Sequence, residues 1–131
     1  MWYEVIEKNI LLEKLFNKIP ELHNVNILRI QLYENGNNVR MSMFLPVLVD
    51  NPPFKWKQLK YDTAIIELDL FAVSSVSIKG ESKRYKGNIS IEKADEETIV
   101  LKCEGSVMID IYAEVAYIQE IRGCRIEEIN N

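Results

Sequence analysis

A chain of 131 residues, 47% hydrophobic and 27% charged, has the balance of one soluble globular domain and is too apolar to stay disordered. Its 16 Lys and Arg against 20 Asp and Glu leave a formal net charge of −4, which argues against holding nucleic acid through many phosphate contacts. No apolar stretch approaches the roughly 20 residues that span a bilayer, and Glu4, Glu7, Lys8 and Glu13 interrupt what would be a signal peptide, so no membrane partner and a cytoplasmic location are expected.

Asn9 reads as a helix cap, and Ile10, Leu11, Lys14, Leu15 and Lys18 follow at helical steps until Pro20, which predicts one short helix over residues 9–19. After Asn24 the period changes to two. Leu28, Ile30 and Leu32 alternate with Arg29, Gln31 and Tyr33, and Val39, Met41, Met43 and Leu45 alternate with Arg40, Ser42 and Phe44. Between these two half-buried strands, Glu34-Asn35-Gly36-Asn37 holds the Asn-Gly pair that suits a type I′ turn, so an antiparallel hairpin is predicted. Residues 50–61, reading DNPPFKWKQLKY, carry adjacent prolines and predict a long surface loop.

Alternation returns in Ala64, Ile66, Leu68 and Leu70, in Val76 and Ile78, in Ile89 and Ile91, in Ile99, Leu101 and Cys103, and in Val107, Ile109, Ile111 and Ala113. Lys79-Gly80, Ala94-Asp95-Glu96 and Glu104-Gly105 read as short turns, and Val115 to Ile121 either extends the last strand or bends into another. The predicted fold is a single α+β domain over residues 1–131, with one N-terminal helix packed on a curved, mostly antiparallel meander of about seven strands.

His23 is the only histidine and stands far from Cys103 and Cys124, a spacing that makes no recognisable zinc site, so neither metal nor cofactor is expected. The two thiols are expected reduced, Cys103 on the apolar side of a strand and Cys124 in the tail. Glycines are scattered singly rather than gathered into a phosphate loop, and Ser74, Ser75 and Ser77 have no strong partner base, so no catalytic residue is assigned.

Glu67 and Asp69 lie two apart on one strand and share a face, as glycosidase acids sometimes do. Outward positions also include Glu92, Glu104, Asp110 and Glu114, with Lys102, Arg29 and Arg40 among them. Catalysis requires two such acids in a partly dry pocket, whereas a solvated or partner-binding face requires only the alternation. Ile65, Phe71, Val100, Met108 and Tyr112 share that face, either as ordinary exposed residues or as a contact surface. Trp56 is either an interface anchor or a ring folded back over the core.

The opening MWYEVIEKN, the IPELHNVNI junction, the DNPPFKWK loop and the YDTAIIELDLF strand running into VSIKGES resemble, in that order, the bacterial immunity proteins of polymorphic toxin systems, specifically immunity protein family 50. The resemblance covers most of the chain and is strongest from Asp50 to Ser82. It implies a cytoplasmic protein without catalysis of its own that binds and neutralises one cognate toxin domain by direct contact; it brings no family set of functional residues. The alternatives are a small-ligand-binding half-barrel and a hydrolase using Glu67, Asp69 or Asp110, either of which a concave pocket with converging acids would favour. If the toxin carries a basic cleft, Glu67, Asp69, Asp110 and Glu114 are expected to supply charge, and Tyr112, Met108 and Trp56 buried area. The expected partner is a protein, and nothing in the sequence supports a homo-oligomer.

Overall fold

The computed structural model describes residues 1–7, 9–81 and 83–129; Lys8 and Ser82 of the family-like words, and Asn130 and Asn131 of the tail, lie outside them. A 3-10 turn at Trp2–Val5 leads into β1 (Ile6–Glu7) and α1 (Ile10–Leu15). The strands β2 (Leu22–Tyr33) and β3 (Asn38–Phe44) follow, then α2 (Phe54–Leu59), β4 (Thr63–Phe71) and β5 (Ser75–Gly80). The chain continues through β6 (Lys86–Lys93), β7 (Ile99–Gly105), β8 (Val107–Ala113) and β9 (Val115–Cys124) to a last turn, α3 (Ile126–Ile129).

All nine strands belong to one sheet in the order β1-β9-β4-β3-β2-β6-β7-β8-β5. The pairing of β1 with β9 is parallel and the rest are antiparallel. β4 stands third and β5 ninth, yet only Ala72, Val73 and Ser74 separate them. A flat sheet would hold them roughly 29 Å apart, and so short a link reaches about 14 Å at most. The sheet therefore curls until its far end returns to β4. β4 and β5 are two arms of one bent strand, β8 and β9 are two arms of another with Glu114 at the bend, and the β4–β9 and β5–β8 ladders continue one another around the corner. Left-handed backbone at Ala72 (φ 54°) makes the turn. Hydrogen bonds from Ser74 N–H to the Tyr112 carbonyl (2.8 Å) and from Glu114 N–H to the Phe71 carbonyl (3.1 Å) seal it.

The core lies inside this curl. Val39, Met41 and Met43 of β3, Ala64, Ile66, Leu68 and Leu70 of β4, and Leu101, Ile109 and Ile111 of β7 and β8 are fully buried, and Leu12 and Leu15 of α1 join them. These are the alternating positions that the period-two pattern singled out on β3, β4, β7 and β8. The predicted hairpin is present: Asn35 and Gly36 have positive φ, and Asn37 N–H donates to the Glu34 carbonyl at 3.0 Å.

Several expectations are corrected. The sheet is not a seven-strand meander under one helix, because β9 and the two-residue β1 bring the strands among the described residues to nine, and three short α-helices accompany them. The predicted helix over 9–19 ends at Leu15, where Phe16 turns extended; Asn9 occupies the cap, but its side-chain amide donates to the Tyr3 carbonyl instead. The DNPPFKWKQLKY loop contains α2, with Pro53 at its N-cap, a place where the extended φ/ψ of proline is no obstacle. Lys79 and Gly80 end β5, and Glu104 and Gly105 end β7, rather than forming turns. Leu28 and Leu32 are exposed, not core, because β2 bulges between Ile27 and Arg29 and continues past the layer that would cover it. Cys124 is the buried last residue of β9 rather than part of a loose tail.

Candidate partner-binding site

The curl leaves two outward walls. On the wall of β3, β4 and β9, residues 40 and 69 are directly paired, so the Arg40 guanidinium reaches the Asp69 carboxylate through both forks, Nε to Oδ1 at 2.7 Å and Nη2 to Oδ2 at 2.9 Å. Asp69 is only 1% exposed, and Arg40 also lies over the Tyr33 ring. The hydrogen-bonded carboxylate raises the Arg40 pKa above its already high ordinary value, so the guanidinium stays charged. One pair along, the Ser42 hydroxyl donates to Glu67 Oε1 at 3.1 Å, and Arg122 from β9 stands 4.0 Å from the same oxygen. The polar groups of this wall are spent on one another.

The wall formed by β6, β7, β8 and β5 is different. Alternation along β8 sends Met108, Asp110 and Tyr112 outward while Val107, Ile109 and Ile111 fill the core. Met108 is 47% exposed opposite Lys79. Asp110 is half-buried between Ser77 and Lys102, with Lys102 Nζ at 3.7 Å, and Tyr112 lies between Ser75 and Val100. Glu114 is exposed at the bend.

The seven residues singled out from sequence are thus distributed. Met108, Asp110, Tyr112 and Glu114 share one arm, and Glu67 and Asp69 stand on the other wall, across the corner. Trp56 is on neither: it packs against the core, and a Cβ at Gly123 would sit 2.7 to 2.8 Å from the Trp56 and Tyr61 rings, so the bare glycine is what lets α2 close down on β9. The tail fastens that closure, with the Arg125 guanidinium donating to the Leu59 carbonyl and Ile126 N–H to Asp62 Oδ1. Both cysteines are free and buried; burial pushes each thiol up to about 11, aided by Glu104 at Cys103 and chiefly by Glu128 at Cys124.

Several clefts interrupt the surface, three of which bear on the readings above. One of about 380 Å³ runs between α1 and β9 along Ile10, Leu11 and Ile121; one of about 420 Å³ lies between Lys60, Asp62 and Arg125; one of about 280 Å³ lies between β2 and β5. None of the three is lined by Glu67, Asp69, Asp110 or Glu114. The β2–β5 groove is the feature that sequence reasoning missed. Its apolar lining, Leu28, Leu32 and Ile78, was assigned to the core by alternation, whereas these side chains are 39% to 52% exposed. A visible signal beside it is the Lys83-Arg84-Tyr85-Lys86 run.

Among the described residues no helix is long and apolar enough to cross a membrane. No curated protein matches the chain. Among solved structures, an uncharacterized protein from Neisseria gonorrhoeae is similar over 75% of this chain and 92% of its own, with a TM-score of 0.51 and 13% identity, a likeness of fold alone. The family model for Immunity protein 50 matches residues 8–124, from the start of α1 through the last residue of β9, and so takes in the two outward walls and the corner that joins them. On that match the chain belongs to the Immunity protein 50 family.

Proposed function

We propose that this protein neutralises a cognate toxin domain by binding it directly, without catalysis of its own, and that the outward arm of β8 is the docking face. Family membership over residues 8–124 is the observation that carries the inhibitor role. The face is argued from chemistry: Met108 offers accessible apolar area, Tyr112 an aromatic body, and Asp110 and Glu114 the charge that would meet a basic cleft. These side chains stand on a strand paired on both sides, which holds them in place before contact and lowers the ordering cost of binding. Glu67 and Asp69 enter this reading as scaffold, since both Asp69 oxygens are held by Arg40 and Glu67 Oε1 by Ser42.

The test is to look beside this gene for one encoding a large secreted protein with a C-terminal toxin domain, and to measure binding to that domain in catalytically inactive form. Tyr112→Ala is expected to shorten the lifetime of the complex, and Asp110→Lys with Glu114→Lys to slow association in low salt. If both variants fold, bind and protect cells like the parent, the docking face lies elsewhere. If the parent neither binds nor protects, the inhibitor reading fails, and the small-ligand and hydrolase readings come forward.

A further inference from the structure

We infer that the groove between β2 and β5 is a strand-addition site, which takes an extended, acid-flanked segment of the toxin as an extra strand. The inference rests on the inhibitor reading above and adds a second contact to it.

Three observations carry it. First, both walls of the groove are strand edges with unused backbone. β5 pairs with β8 on one side, and among the described residues no strand pairs with its other side. β2 pairs with β6 only through Leu22, Val25 and Asn26, with one further bond from Ile27 N–H to the Tyr85 carbonyl, so residues 28–33 leave that edge open. An open edge presents alternate N–H and C=O groups to whatever lies beside it, and an extended chain is the occupant that satisfies them.

Second, the floor is apolar where a lone protein would bury it. Leu32 pairs with Val39 and Ile78 with Ile109, so both point to the side where the core lies, yet Leu32 is 52% and Ile78 39% exposed. Leu28, at the bulge, is 47% exposed in the same lining. Alternate side chains of an added strand would cover them.

Third, charge selects the occupant. An adjoining hollow of about 280 Å³ shares Ile27, Leu28 and Tyr85 with the groove and is lined by Lys83, Arg84 and Lys86. Arg29 lines the groove itself, and among the described residues no acid lines either space, although the chain as a whole carries −4. A second copy related by a two-fold axis would set this basic rim against its own likeness, a repulsive arrangement. An extended segment with Asp or Glu at its ends meets it favourably.

The experiment is amide hydrogen exchange on the full chain, free and bound to the inactive toxin domain of the neighbouring gene, together with Leu28→Asp/Ile78→Asp. Protection of the amides at 28–33 and 75–80 on binding is expected. The double variant, altered only at exposed side chains, should keep the melting temperature of the parent and bind about tenfold or more weakly. Lys83→Glu/Lys86→Glu should slow association at low salt and recover as salt is raised. If the toxin binds but these amides exchange as in the free protein, or the aspartate variant binds like the parent, strand addition is overturned while the inhibitor reading stands. A free protein that sediments as a dimer with these amides already protected assigns the groove to a second copy and overturns it too. Failure of the parent to bind at all brings down both.

Discussion

The wall of β3, β4 and β9 and the margin between β2 and β5 are cut from the same sheet and treat their unmet groups in opposite ways. On the wall, Asp69 is 1% exposed and fully engaged by Arg40, while Glu67 is held by Ser42 beside Arg122. At the margin, Leu28, Leu32 and Ile78 stay in water beside backbone edges that no described strand pairs. A buried ion pair gives little net stability, but breaking it is costly, so the wall is a place where change damages folding. The side chains of the margin are already largely in water, so altering them is expected to cost the fold little, and their pattern points to contact rather than to structure.

The largest effect that would break this contrast is on the wall. Arg40→Ala strands a buried carboxylate and should cost about 3 to 5 kcal/mol in urea unfolding. Asp69→Asn keeps a hydrogen-bond acceptor for Arg40 and should cost less, about 1 to 2 kcal/mol. Leu32→Ser at the margin should stay within about 0.5 kcal/mol; a loss comparable to Arg40→Ala would erase the distinction drawn here.

A pH series sharpens it further, because both thiols are buried, Cys103 in the core and Cys124 beside Thr63 at the end of β9. In the folded chain Cys103 and Cys124 hold their protons to about 11, while in the unfolded chain they lose them near the ordinary value of 9.0. Across that window the unfolded state binds fewer protons, so stability is intact below pH 9 and falls as pH rises toward 11. The loss should reach about 2 kcal/mol per thiol, and Cys103→Ala should flatten the profile from that site. The smallest expected effect is on the outward face of β7 and β8: Lys102→Ala removes a 3.7 Å pair with Asp110 between side chains that are both nearly half exposed, and should change stability by less than about 0.5 kcal/mol.

Much of the architecture was legible because alternation is a direct consequence of the pleat. The inward positions of Val39 to Met43, Ala64 to Leu70 and Val107 to Ala113 read correctly, whereas Ser42 and Asp69, outward by the same period, are buried. What alternation cannot carry is what covers a face. Leu32 points the way its period says, but the opposite layer stops short of it. Bulges are also silent in a hydropathy pattern: on β2 one interrupts the register after Leu22, where Asn24 takes left-handed backbone and donates its N–H to the Asn88 side chain, and another follows Ile27. The corner carries no Gly or Pro at Ala72 or Glu114, so alternation leaves open whether Val115 to Ile121 extends the last strand or bends into another; the structure bends it into β9. Of the site residues, the outward direction of Met108, Asp110 and Tyr112 followed from period two; that Asp69 is locked to Arg40 required knowing that β3 pairs with β4 in that register.

The pairing of β9 has a consequence for synthesis. Its strand partners are β1 (Ile6–Glu7) and β4 (Thr63–Phe71), both made well before it. Until Glu114 has left the ribosome the corner cannot be sealed at Phe71, and until β9 follows, β4 has one bare edge and Ile6 has no strand to join. A nascent chain of this protein therefore carries an open, apolar-rich sheet from the emergence of β4 to that of β9, and closure is governed by contacts between residues far apart in sequence, a slow class of folding.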